Sequence, residues 1–198
     1  MKKLIPFRRL VPFVRFAKDR RGIAAAEFAL IAPALIFLIM GVFEMSFRFR
    51  ASEEATRYVH QVADLVSRES IITSSYVGEV FNASEFMMKP LEPKDNLDID
   101  ISSVGFTGTD GDPKVLWRRV VGTSISFDPE EARTMGVDGE TVIRVGVRYK
   151  YQSVLTELFG GGGMTMEKSA YARPRIDRKV EMDGTTDDGG TIQYVTPS

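Results

Sequence analysis

One carboxylate stands where a carboxylate is costly. From Ile23 to Phe43 the chain runs through 21 residues that are apolar or small, with Glu27 as the one exception. A run of that length crosses a bilayer, which takes about 20 apolar residues. An ionised side chain near the bilayer centre costs about 2.5–3.5 kcal/mol, and less close to an interface. Two readings of Glu27 follow. It pairs with a cation inside the membrane, which offsets much of that cost, or it snorkels back to the headgroups from its place five residues into the segment.

The other residues able to do chemistry are scattered. His60 is the sole histidine and there is no cysteine, so no histidine dyad, multi-histidine metal site, thiolate centre or disulfide can be built. Asp98, Asp100, Asp110 and Asp112 carry oxygen ligands of the kind calcium takes. The string Asp110-Gly111-Asp112-Pro113 lacks the EF-hand spacing and its distal glutamate, and turn-forming or strand-solvating aspartates account for all four. Gly160–Gly163 is not followed by the Lys-Ser or Lys-Thr of a phosphate loop, which leaves a flexible loop. Trp117 beside Arg118 and Arg119 reads as an inward tryptophan with outward arginines on an ordinary strand. No nucleophile, general base or cofactor cradle emerges, so neither an enzyme nor a cofactor is expected.

Charge separates the two ends of the chain. Residues 1–21 hold eight Lys or Arg and one Asp, a balance of +7. That leaves 18 basic and 26 acidic residues beyond them, a balance of −8. The acidic body argues against nucleic acid as a partner, because phosphate contacts need clustered cations. A basic collar before a spanning helix is held on the cytoplasmic side. The N-terminus is therefore expected in the cytoplasm and the longer part outside it, with membrane lipid around the span. A cleaved secretory signal fits poorly, since the apolar run exceeds the usual length of about 7–15 residues and contains a glutamate.

The elements that position these residues follow from periodicity. The basic leader, interrupted by Pro6 and Pro12, has no fold of its own. The spanning helix carries Pro33, which predicts a bend near Ala29–Ala32. Ala25, Ala29 and Ala32 share one face at helical spacing, either as a close-packing face for another helix or as ordinary helix formers. Beyond the membrane, Ala51, Ala55, Tyr58, Val59, Val62, Leu65 and Val66 continue an apolar stripe, extending one helix over about 23–69. A second helix is predicted over Ser75–Met88, after the capping candidates Thr73 and Ser74, with Val77, Val80, Phe81 and Met88 inward.

From Leu97 the period becomes two. Leu97, Ile99 and Ile101 alternate with Asp98, Asp100 and Ser102, and a slip to Val104 and Phe106 predicts a bulge near Ser103. Further strands are predicted at Val115–Val121, Thr141–Tyr151 and Met164–Ala172. Asp128-Pro129-Glu130-Glu131 marks a short helix start, and Leu155–Phe159 a helical turn. The expected class is α+β: a long N-terminal helix and a small antiparallel sheet of about four strands. The boundaries read as leader 1–22, span 23–43, helical extension and second helix 44–94, strand-rich exterior domain 95–175, and a mobile tail 176–198 rich in Asp, Gly and Thr.

The stretch Gly22-Ile23-Ala24-Ala25-Ala26-Glu27-Phe28 resembles the cleavage region of type IV prepilins. There a basic leader ends in glycine, a membrane peptidase cuts after it, and glutamate is the fifth mature residue. With Ala32-Pro33, Gly41, Glu44 and Arg48, and with Ala172-Arg173-Pro174-Arg175 far downstream, the chain looks more narrowly like the TadE-like pseudopilins of tight-adherence (Flp) pili. The close resemblance covers roughly residues 19–48. It implies a cut between Gly22 and Ile23, recognition and assembly through Glu27 and Phe28, and helix packing through Ala25, Ala29, Ala32 and Pro33. It further implies a single-pass protein of a bacterial inner membrane, with its C-terminal domain periplasmic and a place at the cell surface in pili after processing. The implied partners are a prepilin peptidase, other pilins or pseudopilins, and the pilus assembly platform. Classical type IV pilins commonly carry Phe where this chain has Ile23. The alternative is an uncleaved, signal-anchored envelope scaffold whose exterior domain binds partners.

Overall fold

The computed structural model describes residues 21–108, 111–153 and 163–197. The leader up to residue 20, Asp110, the predicted turn at Leu155–Phe159 and most of the glycine run lie outside the described residues. Helix α1 spans Arg21–Ser67 without interruption and contains Pro33. There follow β1 (Ile71–Ile72), α2 (Ser74–Met87), β2 (Leu97–Thr107), β3 (Asp112–Val121), a 3-10 turn (Pro129–Ala132), β4 (Thr141–Tyr151), β5 (Met164–Ala172), β6 (Glu181–Met182) and β7 (Ile192–Tyr194). Two compact units divide the chain, Met1–Met45 and Ser46–Ser198.

In the second unit the later half of α1 and the whole of α2 lie on a five-stranded sheet of order β5-β4-β2-β3-β7. The stripe predicted for α1 is the one it buries: Ala51, Ala55, Tyr58, Val59, Val62 and Val66 are fully enclosed, while Leu65 remains exposed. Burying Tyr58 strands its hydroxyl unless it finds a partner. It donates to the Val80 carbonyl on α2 at 2.9 Å, which ties the two helices together. Helix α2 begins where the sequence places its cap, with the Thr73 hydroxyl accepting from the Tyr76 N–H. Val77, Val80, Phe81 and Met88 are buried, as their spacing predicts.

Strands β2, β3, β4 and β5 form the antiparallel body of the sheet, and Ile143, Val145, Val147, Tyr149 and Tyr151 of β4 all turn into the core. A register shift does fall between Ser103 and Val104, but the extra residue is on β3. Ser103 faces Trp117 and Val104 faces Val115, so Leu116 is unmatched, while β2 runs against β4 without a break. Gly105 makes room for it, since a Cβ there would lie 2.8 Å from the Leu116 side chain. Val104 and Phe106 thus keep the alternation of Asp98 and Asp100 and face away from the helices. There they pack with Ala132 and Val142 in a second, smaller cluster.

Two expectations are corrected. The sheet is mixed and has a fifth strand, because β7 pairs parallel with β3. Residues after 176, predicted to be a mobile tail, are tied into the fold. Strand β6 pairs with β1, and Val180 and Met182 are buried. Trp117 donates from Nε1 to the Val180 carbonyl at 2.9 Å. Arg119, almost wholly buried, reaches Asp188 at 2.8 Å and Asp183 at 3.4 Å. Composition misses this tail because its anchors are backbone bonds and ion pairs more than large apolar side chains.

Candidate functional site

Gly22, Ile23, Ala25, Glu27, Phe28, Ala29, Ala32 and Pro33 all lie in the first turns of α1, in the first unit. No side chain from Gly22 to Phe43 is buried; Leu30 is 81% exposed and Phe28 is 69% exposed. A helix that is apolar all round and uncovered all round needs a lipid or protein environment supplied from outside the chain. It is long and apolar enough to cross a membrane. This one span is compatible with a single-pass membrane protein.

Helix geometry sorts the residues by face. At about 100° per residue, Ala25, Ala29 and Ala32 fall within an arc of about 60°, flanked by Phe28 and Pro33. Glu27 lies on the opposite side, one turn from Ile23 and grouped with it and Ile31. The carboxylate is exposed. The small-residue face and the acid are therefore two separate surfaces of one helix. Nothing comes within 4 Å of a Cβ built on Gly22, so no packing inside the chain calls for glycine at that position.

The second unit holds a polar cluster that the sequence hides. Asp98 and Asp100, expected to be solvated, are buried. The Asp100 carboxylate accepts from Arg118 Nε at 2.9 Å, from Arg118 Nη2 at 2.5 Å and from the Ile125 N–H at 2.8 Å. Arg144 Nη1 lies 4.0 Å from the same carboxylate. Asp98 accepts from the Thr123 N–H at 2.9 Å and faces Arg148 at 3.6 Å. Phe127 lies between two guanidiniums, 5.3 Å from Arg118 and 4.0 Å from Arg144. Burial lowers the pKa of Arg144, with Asp100 opposing that shift. Arg118, expected to point outward, is thus largely covered, because the segment after β3 folds back over this face and bonds to Arg118 and Asp100 through Ile125. The Asp100–Arg118 pair is the best-bonded part of the cluster; Asp98 Oδ2, Arg144 Nε and Nη1, and the hydroxyl of buried Ser102, in register between Arg118 and Arg144, have no hydrogen-bond partner among the described residues. The cluster fastens the segment to the sheet.

Among the described residues the other sequence candidates stay apart. His60 is exposed on α1. Among the described residues no group of three or more His, Asp or Glu could hold a metal ion. Asp112 instead pairs with Arg133 at 2.9 Å. The buried pairs had no local signal to find: Arg118 and Asp100 are 18 positions apart, and Arg119 and Asp188 are 69 apart.

Comparison with curated proteins and with solved structures gave no match. Residues 22–64 match the family model described as TadE-like protein. That span opens on Gly22 and runs along α1 to Asp64, so the match covers the element that holds every candidate residue.

Proposed function

We propose that the protein is a pseudopilin-like minor component or assembly factor of a tight-adherence (Flp) pilus, cut by a prepilin peptidase after Gly22 and assembling through α1. The observation that carries this reading is the TadE-like match, which begins at Gly22 itself. The TadE-like family is associated with Tad pili and is not an enzyme family.

The physical steps are simple. Glycine before the cut leaves the backbone open to a peptidase, and at Gly22 no neighbour competes for that approach. Cleavage leaves 176 of the 198 residues and creates an ammonium at Ile23. Glu27, one turn further on, is well placed for the positive end of the helix. The Glu27 carboxylate of one subunit pairs with the Ile23 ammonium of its neighbour, and the low dielectric strengthens that pair. The Ala25, Ala29 and Ala32 face lets an adjoining pilin or pseudopilin helix approach closely. The basic leader holds the N-terminus in the cytoplasm, so the second unit stands in the periplasm of a bacterial inner membrane.

The test separates cutting from assembly. Glu27→Ala should still be processed yet be missing from sheared pili, while photocrosslinks from Ala29 and Ala32 reach another pilin subunit. Normal incorporation of Glu27→Ala rejects the pairing. The uncleaved scaffold reading predicts that neither Gly22→Ala nor Glu27→Ala changes behaviour.

A further inference from the structure

The uncovered apolar surface of α1 does not end with the predicted span. Phe47 is 55% exposed and Phe49 is 67% exposed, and they alternate with Arg48 and Arg50. Ala51 is then fully buried, and the stripe of the folded domain continues from it through Ala55 and Tyr58. Four residues, Phe-Arg-Phe-Arg, thus precede the buried stripe of the folded domain, and their large apolar side chains stay exposed.

Helix geometry identifies what covers them. Phe47 and Phe49 are two positions apart, so their side chains leave the helix about 200° from each other. A partner docked on one side, whether a second copy or another protein, reaches one of them and leaves the other in water. A fluid surrounding the helix reaches both. Length agrees with this. About 20 residues cross the hydrocarbon, but about 27–30 are needed to pass the headgroup layers as well at 1.5 Å per residue. Counted from Ile23, that larger number ends at Phe49 or just beyond. The charges suit the same depth, since arginine lays its stem along apolar surface and holds its head at a phosphate.

We infer that residues 47–50 are a lipid-binding collar: Phe47 and Phe49 sit at the boundary between acyl chains and headgroups, with Arg48 and Arg50 on lipid phosphates. This rests on the reading of α1 as a membrane span and goes beyond it in depth and in ligand.

The lack of cysteine makes the test direct. Ile39→Cys, Phe47→Cys, Phe49→Cys and Glu53→Cys, each in the full chain, carry one nitroxide apiece after labelling. The protein is reconstituted in vesicles of phosphatidylethanolamine and phosphatidylglycerol, and collisions with oxygen and with a water-soluble nickel chelate are compared. Emission of the buried Trp117 reports that each variant is folded. The collar predicts oxygen-to-nickel ratios at 47 and 49 several-fold above that at 53 and below that at 39. Ratios at 47 and 49 equal to that at 53, with 39 still shielded, place the collar in water and overturn the inference alone. Low access to both reagents at 47 and 49 means protein covers them, and overturns it too. Nickel access at 39 removes the membrane span and the collar together.

Discussion

Replacing Asp100 with alanine should be among the most damaging single changes in the folded domain. The carboxylate is fully buried, against arginine side chains that are 13% (Arg118) and 3% (Arg144) exposed. Removing it leaves Arg118 and Arg144 facing each other around Phe127 with no counter-charge, and leaves the buried Ile125 N–H without its acceptor. Breaking a buried pair by deleting one partner costs about 3–5 kcal/mol. The total stability of a domain is about 5–15 kcal/mol, so Asp100→Ala takes a large part of it. By contrast, Arg133 and Glu130 form an exposed pair on the 3-10 turn, and Glu130→Ala should cost less than about 1 kcal/mol. The assay is urea unfolding of the full chain in detergent, followed by emission of Trp117, the sole and fully buried tryptophan. The double variant Asp100→Leu/Arg118→Met should lose less than Asp100→Ala, because it leaves one fewer uncompensated charge. A loss below about 1 kcal/mol for Asp100→Ala refutes the reasoning. So does a double variant as unstable as the sum of its single changes.

The C-terminal segment should loosen in acid. Burial pushes the Asp183 carboxyl up, but its bonds from the Ser74 hydroxyl and backbone N–H and from Arg119 outweigh that and hold its pKa below the ordinary value. Asp187 is lowered chiefly by Lys114. Groups lowered on folding stabilise fully above about pH 4 and lose that contribution as the pH falls through their folded values. Amide protection factors over residues 180–195, corrected for the intrinsic pH dependence of exchange, should therefore be flat from neutral pH to about 4.5 and fall below it, before the α1 and sheet core opens. Simultaneous opening of tail and core contradicts this. Removing the α2 cap with Thr73→Ala should cost about 1 kcal/mol and Thr73→Ser almost nothing, read by the same urea assay. Equal losses for both place the effect elsewhere.

Much of the fold can be read from local pattern. The spacing of Ala51 to Val66, the Thr73 cap and the alternation from Ile143 to Tyr151 are dictated within a few residues of each position. The candidate site is legible for the same reason, since Gly22 to Phe28 is one linear string on one helix. Asp98 and Asp100 misled because polar alternation means solvent only where nothing lies over the polar face. Here the segment from Thr123 to Phe127 does, bound through Asp98, Asp100 and two arginines. The tail misled because its hold comes from residues some 60–70 positions away, Trp117 and Arg119. The shift at Ser103 was visible as a change of apolar rhythm. Its cause, an extra Leu116 on the neighbouring strand, depends on pairing that no single strand encodes.

The central claim is that α1 is made as a precursor and released by one cut. Intact-mass and N-terminal mass spectrometry of the protein from cells with an active prepilin peptidase tests it most directly. A mature chain that begins at Ile23 in those cells, and at Met1 when the peptidase is absent, is the predicted result. A chain that begins at Met1 in both contradicts it.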